Sequence, residues 1–560
     1  MLRNKLLAAA LLTVACQVAA AQNQIVTHAR ESLSPSSARF DWRFQSSASA
    51  INGLLEKSAC YYSVEKQRFG DSLKLSQAMV STFCSTGETE GDFLPYEGRS
   101  SRDWGLNGYG VSDYGKLGVL YGKAHYALGR HRGISWNAMR YPELYLPYAI
   151  TDSTGGNSRF ENYCAEGGYT KQFGRWHLGA NFAFNGEQAY RLTDPRVLNN
   201  TTFLTFKIGG GRVFDGGNSL CVSVYYTRNK QYEHDRYWRP GEQQRFFVLY
   251  GFGLYNNKQS TVAFGVSRMF YINNVGADVA YQSAIGKRLK IKANAVYDYK
   301  YMYTEESSIV NLYNSRTQTI SPAFEIACAL TPKVSLNLFS FSQIVSRHGC
   351  ENILERYLTD AANSTYDYRK IGEERNYKFL TVSTKNAVQL SIAPTPNIDF
   401  GIQAGCMLDS RREENTKYKY LVENVNITPN FRLDARLRSG NLRHELNLAV
   451  QYNRQIAVRN KYDVEIKNNA IQHVDFQTCF APYAYHAANT DALAGSATYT
   501  HHWAKFAAGL KLDCFNTVGQ RVSDAEFTKP IGYNSVCPMI TPEPDCHNER
   551  WLAVSAFVIF

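Results

Sequence analysis

Few residues in this chain have a type and spacing that could do chemistry. His234-Asp235 sets a base beside a carboxylate that could orient it, and His501-His502 sets two imidazoles side by side. Neither pair sits in a recognisable catalytic motif, so both read as polar surface. The 12 histidines are scattered, and no metal or haem ligand set is visible. None of the 12 cysteines stands in a C-x-x-C spacing, so zinc and redox motifs are absent. Cys60, Cys84, Cys164, Cys221, Cys328, Cys406 and Cys514 lie in strand-like runs, where a thiol serves as a small apolar wall residue. Cys537 and Cys546 flank a Pro-rich loop and could close one disulfide or stay free. The expectation is no catalytic residue, no cofactor and no metal.

The remaining chemistry is charge arranged at period two. After the turn Gly286-Lys287-Arg288, Leu289, Ile291, Ala293, Ala295, Tyr297, Tyr299 and Tyr301 alternate with Lys290, Lys292, Asn294, Val296, Asp298 and Lys300. One face is apolar and the other charged. A closed soluble sandwich could not bury that charge without partners, whereas a water-filled barrel interior can take it. Residues 160–187 read the same way, turning at Gly174-Arg175. There Trp176, Leu178, Ala180, Phe182 and Phe184 oppose His177, Gly179, Asn181, Ala183 and Asn185. Lys123, Lys207, Lys290, Lys292 and Lys300 are thus the candidate lumen-facing residues, placed to favour anionic solutes. The competing reading, a solvated face of a soluble sheet, is opposed by the number of such strands.

A strand able to close such a wall stands at the end of the chain. Trp551 to Phe560 carries no charge, Pro or Gly, and Leu552, Val554, Ala556, Val558 and Phe560 share one face. A tilted strand crosses a bilayer in about ten residues, and a naked apolar strand would be an aggregation edge in a soluble protein. This ending resembles the C-terminal sorting signal of Gram-negative outer-membrane proteins. At the other end, Arg3 and Lys5, the apolar run Leu6 to Val14, and Ala19-Ala20-Ala21 make a secretory signal peptide cut after Ala21. A lipoprotein cut before Cys16 is disfavoured by Thr13-Val14-Ala15. With Cys16 removed an odd number of cysteines remains, so they cannot all pair within the chain.

Composition agrees with this placement. Mean hydropathy is −0.36, and no later stretch is apolar enough for a membrane helix. A barrel hides its membrane character because only alternate residues face lipid, and 38 Tyr, 30 Phe and 7 Trp suit its aromatic girdles. The net charge of +12 is spread along the chain, two units of it in the signal peptide. No basic cluster with interleaved aromatics appears, which excludes nucleic acid as a partner. A basic face for lipopolysaccharide phosphates fits as well as a basic lumen.

The chain between these ends alternates tight turns with long polar segments. Tight reversals read at 112–115, 174–175, 215–218, 256–258, 286–288, 331–333, 394–397, 439–441 and near His502. Long polar segments read at 129–159, 188–201, 228–244, 304–316, 343–375, 407–417, 453–488 and 516–550, with a short helix over 350–362. This asymmetry predicts an all-β transmembrane antiparallel barrel of the outer-membrane type. It has about 18–20 strands, short periplasmic turns and long extracellular loops. The organisation is 1–21 signal peptide, 22–58 a periplasmic or lumen-filling segment, and 59–560 barrel. An interior this wide must hold water, an infolded loop or the N-terminal segment.

One segment carries a resemblance. Pro147 to Tyr163, with Asp152, Gly155, Gly156 and Glu161, is followed by Tyr190-Arg191-Leu-Thr-Asp194-Pro195-Arg196. This resembles a group of Bacteroidetes outer-membrane barrels catalogued only as a domain of unknown function. The resemblance implies barrel and compartment but brings no activity. Asp152, Gly155 and Gly156 fit a loop closing onto a strand, and Asp194-Pro195 fits a turn start. The competing role for Asp152, Gly155, Gly156, Glu161, Asp194 and Arg196 is a ligand or partner site at the mouth.

The functional expectation is a non-enzymatic outer-membrane barrel, a channel or a component of a transport system. The alternative is a plugged barrel whose loops bind a surface lipoprotein or a TonB-dependent importer. A surface hydrolase is the weakest reading, because barrel lipases and proteases need Ser, His or paired acids at the rim. A large energised importer would need a dedicated plug that the stretch before residue 60 is too short to supply. The other expected partners are outer-membrane lipid, lipopolysaccharide and the barrel-assembly machinery.

Overall fold

The computed structural model describes residues 47–69, 76–91, 94, 96–152, 154–236, 246–251, 254–256, 267–286, 288–306, 311–360, 365–417, 419–464, 473–474, 481–520, 526–527 and 546–560. Its main element is a closed antiparallel barrel of 18 strands. In chain order they are β1 (Gln77–Glu90), β2 (Ser100–Asp113), β3 (Val119–Ile134), β4 (Gly156–Phe173), β5 (Trp176–Arg191) and β6 (Arg196–Val213). Next come β7 (Ser219–Arg236), β8 (Ser267–Ile285), β9 (Leu289–Glu306), β10 (Tyr313–Thr331), β11 (Val334–Asp360) and β12 (Thr365–Thr395). The last six are β13 (Ile398–Asn415), β14 (Tyr420–Arg438), β15 (His444–Val464), β16 (Asn489–His502), β17 (Ala507–Gln520) and β18 (Cys546–Ile559).

Each strand pairs with its chain neighbours, and β18 closes the ring on β1, from Met79↔Ile559 to Glu90↔Asn548. A barrel in lipid needs this closure, because an open edge would leave backbone donors and acceptors unsatisfied. In β18, Ala553, Ser555 and Phe557 are buried, whereas Leu552 and Val554 are exposed on the outer face. The alternation holds in β5, where His177 and Asn181 are buried and Trp176, Leu178 and Phe182 are exposed. No helix among the described residues is long and apolar enough to cross a membrane.

Four sequence expectations need correction. The reversal at 256–258 is not a barrel turn. Leu254–Asn256 is a short strand of a separate four-stranded sheet, inside the connection between β7 and β8, and Asn257 and Lys258 lie outside the described residues. Eight short turns therefore remain, and they yield 18 strands, at the lower end of the expected range. No helix forms over 350–360, and residues 361 and 362 lie outside the described residues. Residues 350–360 continue β11, paired with β12 from Cys350↔Arg375 to Asp360↔Thr365. Register shifts insert one extra residue at Asn376 and Ile371 in β12 and at Thr359 in β11, and charge on both faces of 351–360 hides the strand from a pattern reading.

Segments 188–201 and 407–417 are mostly wall, since β5 runs to Arg191, β6 starts at Arg196 and β13 reaches Asn415. A strand that has left the hydrocarbon needs no apolar face, so its polar continuation resembles a loop. Cys60 is not in a strand. It lies between two helices, α1 (Ser47–Glu56) and α2 (Tyr61–Phe69), that precede β1. Whether Cys537 and Cys546 pair falls outside the described residues at Cys537.

Candidate functional site

The lumen holds ordered chain at both ends. At the short-turn end, α1 and α2 lie against inward faces of the wall. The 58–60 turn between them is set by Tyr61 N–H donating to Ser58 O, and Val64 N–H then donates to Cys60 O. Lys66 and Arg68 fall in the last turn of α2, where cations favour the helix dipole. The contacts to the wall are mostly polar. Ala59 N–H donates to Ser223 Oγ at 3.1 Å, and Lys207 Nζ donates to Lys57 O at 2.8 Å. Ser63 Oγ is 2.6 Å from Thr170 Oγ1 and 2.9 Å from His177 Nδ1, while His177 Nε2 meets Gln67 Oε1 at 2.6 Å. Lys66 pairs with Asp113 at 2.6 Å, and Lys123 pairs with Glu56 at 3.6 Å.

Apolar contacts fill the gaps, and Tyr62 packs on Val111, Val119 and Tyr121. Leu55, Cys60 and Val64 pack on Val213, Cys221 and Ala280, and Ile51 packs on Ala323 and Phe339. The close approach depends on glycine in the wall: a Cβ at Gly179 would lie 2.6 Å from the Ala59 carbonyl carbon. Burial pushes the Cys60 thiol up to about 12, with Cys221 and Asp278 adding to the effect. Burial, and then Glu56, hold the Tyr62 phenol well above its ordinary value.

The opposite end is filled by infolded loops. The β3–β4 connection carries helix α3 (Pro142–Tyr145) and the strand Ile150–Asp152, which pairs with Phe246–Leu249. Tyr145, Tyr148, Ile150, Val248, Tyr250 and Tyr483 form one buried core with the wall residues Phe270, Ile272, Met302, Tyr313, Tyr420 and Val422. Tyr148 stacks on Tyr313 with ring centres 4.5 Å apart. Wall polar groups grip the loop backbone: Asn199 Nδ2 donates to Ala138 O at 2.9 Å, and Arg347 donates to Glu143 O at 2.9 Å and Leu146 O at 3.1 Å. Glu187 receives Arg140, Tyr141 and Asn162. Gly251, at φ 98°, leaves Tyr420 room to donate to Tyr250 O at 3.0 Å.

The proposed mouth residues divide. Asp152 is fully buried and pairs with Arg191 at 2.8 Å, and its other oxygen accepts from Thr154 N–H at 3.1 Å and Gly155 N–H at 3.3 Å. Arg191 also donates to Pro195 O at 2.9 Å. Gly155 has φ 67°, and a Cβ there would press on Ser135 Cα at 3.0 Å, while Gly156 has φ 147°. The structure thus brings Asp152, Gly155, Gly156, Arg191 and Pro195 together as a loop-to-wall staple. Asp194 pairs with Arg196 at 3.0 Å beside it. Glu161 stands apart on the outer face, accepting from Tyr126 at 2.7 Å.

All five lysines fall on inward parity. Lys207 pairs with Asp278 at 3.1 Å and Lys292 with Glu325 at 3.3 Å, so much of their charge is already met. Lys290 and Lys300 share their face of β9 with Asp298, which accepts from Tyr225 at 2.6 Å. His234 sits on β7 beside Tyr232, with 3.4 Å between Nδ1 and the phenol, and the side chain of Asp235 lies outside the described residues. His501 and His502 face opposite sides of the wall, as neighbours in a strand must. The reading from sequence missed the tyrosine core and its anchors Asn199, Arg347 and Glu187. Only the aromatic spacing around Tyr145, Tyr148 and Tyr250 hinted at it.

Residues 74–533 match the model of DUF6850, a family of unknown function. The chain belongs to that family. No curated protein matches it in sequence. Among solved structures it is similar to the FrpB iron transporter from Neisseria meningitidis (F3-3 variant), at 7% identity and TM-score 0.38, covering 86% of this chain and 81% of that one. It is also similar to BauA, the ferric preacinetobactin receptor from Acinetobacter baumannii, at 9% identity and TM-score 0.37, covering 86% and 80%. The siderophore receptor PirA from Pseudomonas aeruginosa gives 8% identity and TM-score 0.33, covering 86% and 80%. At such distances these likenesses carry nothing about cargo.

Proposed function

We propose that this DUF6850 barrel is a non-enzymatic outer-membrane transport component, closed at rest and opened by movement of α1 and α2. The observation that carries this is the chemistry of the inner closure. It rests largely on hydrogen bonds and ion pairs, with Ser63–Thr170, Lys66–Asp113 and Lys123–Glu56 at its centre, beside apolar contacts of Ile51, Leu55, Tyr62 and Val64. Such bonds exchange for water at small net cost, and the apolar groups that the segment would expose on leaving, chiefly Ile51, Leu55, Tyr62 and Val64, are fewer than those in the tyrosine core at the opposite end. A passive open channel has no use for two closures. The outward apolar face of β18, with Leu552 and Val554, is the surface that lipid would cover.

The test is single-channel recording of the folded, detergent-extracted protein in a planar bilayer. The wild type should be silent or open rarely. Steady openings at every voltage would overturn the closed-at-rest reading.

One observation favours the scaffold alternative. Beyond Glu351↔Tyr313 and Tyr377↔Asn415, the β11–β12 hairpin projects past both neighbouring strands. Its outer part exposes Ile353, Leu358, Tyr366 and Ile371. A surface lipoprotein or importer could seat there. Deleting residues 354–370 should abolish any co-purifying partner in mild detergent while leaving the heat-shifted gel mobility of the barrel unchanged. Retention of the partner would exclude the hairpin as its seat.

A further inference from the structure

We infer that the outer wall carries a transition-metal site at its short-turn rim, built from His444, His501 and Tyr499. His444 opens β15 and His501 lies near the end of β16, and the two are direct cross-strand partners. Both side chains point outward. Their Nδ1 atoms are 3.2 Å apart, and the Tyr499 hydroxyl lies 2.7 Å from His444 Nδ1. As hydrogen bonding alone this is a poor arrangement. His444 Nδ1 offers either one lone pair or one hydrogen, and two partners compete for it.

A metal ion resolves the conflict. Imidazole nitrogen binds zinc-sized ions at about 2.0–2.1 Å, and two such bonds spanning the observed gap enclose an angle of about 100°, near tetrahedral. That geometry would hold the ring centres about 5 Å apart. They are 4.5 Å apart here, with planes tilted by 56°. Tyr499 supplies an oxygen as third donor, and water can complete the set. Among the described residues no group of three His, Cys, Asp or Glu could hold a metal. The site proposed here differs in that its third donor is a phenol. Trp503 packs edge-on to His501, with ring centres 4.1 Å apart, and stacks on Phe506 at 4.5 Å, which holds the His501 ring from the other side. His444 and Tyr499 are exposed, so an ion reaches them from the aqueous rim. Two imidazoles and a phenol suit copper(II) first and zinc(II) after it.

The experiment is titration of the folded, metal-stripped protein in detergent with copper(II) and, separately, zinc(II), read by calorimetry and by copper electron paramagnetic resonance. The wild type should take up one ion with nitrogen hyperfine coupling from two imidazoles. His444→Ala and His501→Ala should each weaken binding by at least about tenfold, and together remove the two-nitrogen signal. Tyr499→Phe should keep both nitrogens but weaken binding. These outward residues are not buried, and unchanged heat-shifted mobility would confirm that the variants fold. A wild type without a two-nitrogen copper signal, or a double variant that retains it, would overturn the site.

Discussion

Gly179 is where the luminal segment comes very close to the wall, and adding one methyl group there tests the gating argument directly. A Cβ at that position would lie 2.6 Å from the Ala59 carbonyl carbon and 3.2 Å from Cys60 N. Ordinary contact begins at 3.4 Å, and the Ala59 carbonyl oxygen lies nearer to that Cβ than its carbon does, so in Gly179→Ala the 58–60 turn must retreat by more than about 0.8 Å. That shift breaks or stretches the bond from Ala59 N–H to Ser223 Oγ at 3.1 Å and the Cys60 Sγ contact to His177 O at 3.6 Å. At about 1 kcal/mol net for each ordinary hydrogen bond, the closed state loses about 1–2 kcal/mol. The ratio of closed to open should then fall by about 5- to 30-fold. Single-channel open probability should rise by that factor, and amide exchange in α2 should quicken with it. Gly210→Ala on the adjacent strand is the control. It faces lipid, and a Cβ there meets nothing nearer than 3.9 Å. If Gly179→Ala matches the wild type in both readouts, the helices do not hold the lumen shut at this contact.

Three other outcomes follow from the same packing. Asp152→Ala leaves Arg191 buried without its carboxylate and should weaken the loop-to-wall staple by about 3–5 kcal/mol, read as faster exchange over 135–155; exchange equal to wild type would refute the staple. Cys60 should resist maleimide at neutral pH in the closed protein, because burial favours the neutral thiol. The stabilisation that Cys60 packing contributes is complete below the ordinary thiol value of 9.0 and is lost as pH rises towards about 12, so labelling should climb over that window. Rapid labelling at pH 7 would place Cys60 in water. In the Gly179→Ala background, converting Lys290, Lys292 and Lys300 to Gln should shift the reversal potential towards cation selectivity, and an unmoved potential would remove them from the conduction path.

Much of the wall was legible in the sequence because lipid imposes a simple rule on it. Leu178 against His177 and Ile291 against Lys292 alternate since one faces hydrocarbon and the other the lumen. Trp551 to Phe560 could be assigned for the same reason. The rule lapses above the membrane. Residues 350–360 carry charge on both faces and bulge at Thr359, so they resemble a loop although every one of them lies in a strand. The site was less legible. Asp152, Gly155 and Gly156 announce a tight loop, but their partner Arg191 lies 39 residues on. The tyrosine core joins Tyr148, Tyr250, Tyr313 and Tyr420 from four separate segments, and nothing local marks them as neighbours.

The two closures also differ in what opening them costs, and that difference gives an order of events. Moving α2 away exposes Tyr62 and Val64 and exchanges hydrogen bonds such as Ser63–Thr170 and Gln67–His177 for bonds to water. Moving the outer loops would expose Tyr145, Tyr148, Ile150, Val248 and Tyr250 and would strand Asp152 and Glu187 from Arg191 and Arg140. Apolar exposure costs about 25 cal/mol for each Å², and a broken buried ion pair costs several kcal/mol more. The inner segment should therefore open first and more often. Amides of Tyr61–Phe69 should exchange faster than those of residues 145–150, and the gap should widen in Gly179→Ala. Slower exchange in α2 than in the outer loops would reverse the order, and would move the gate to the cell surface.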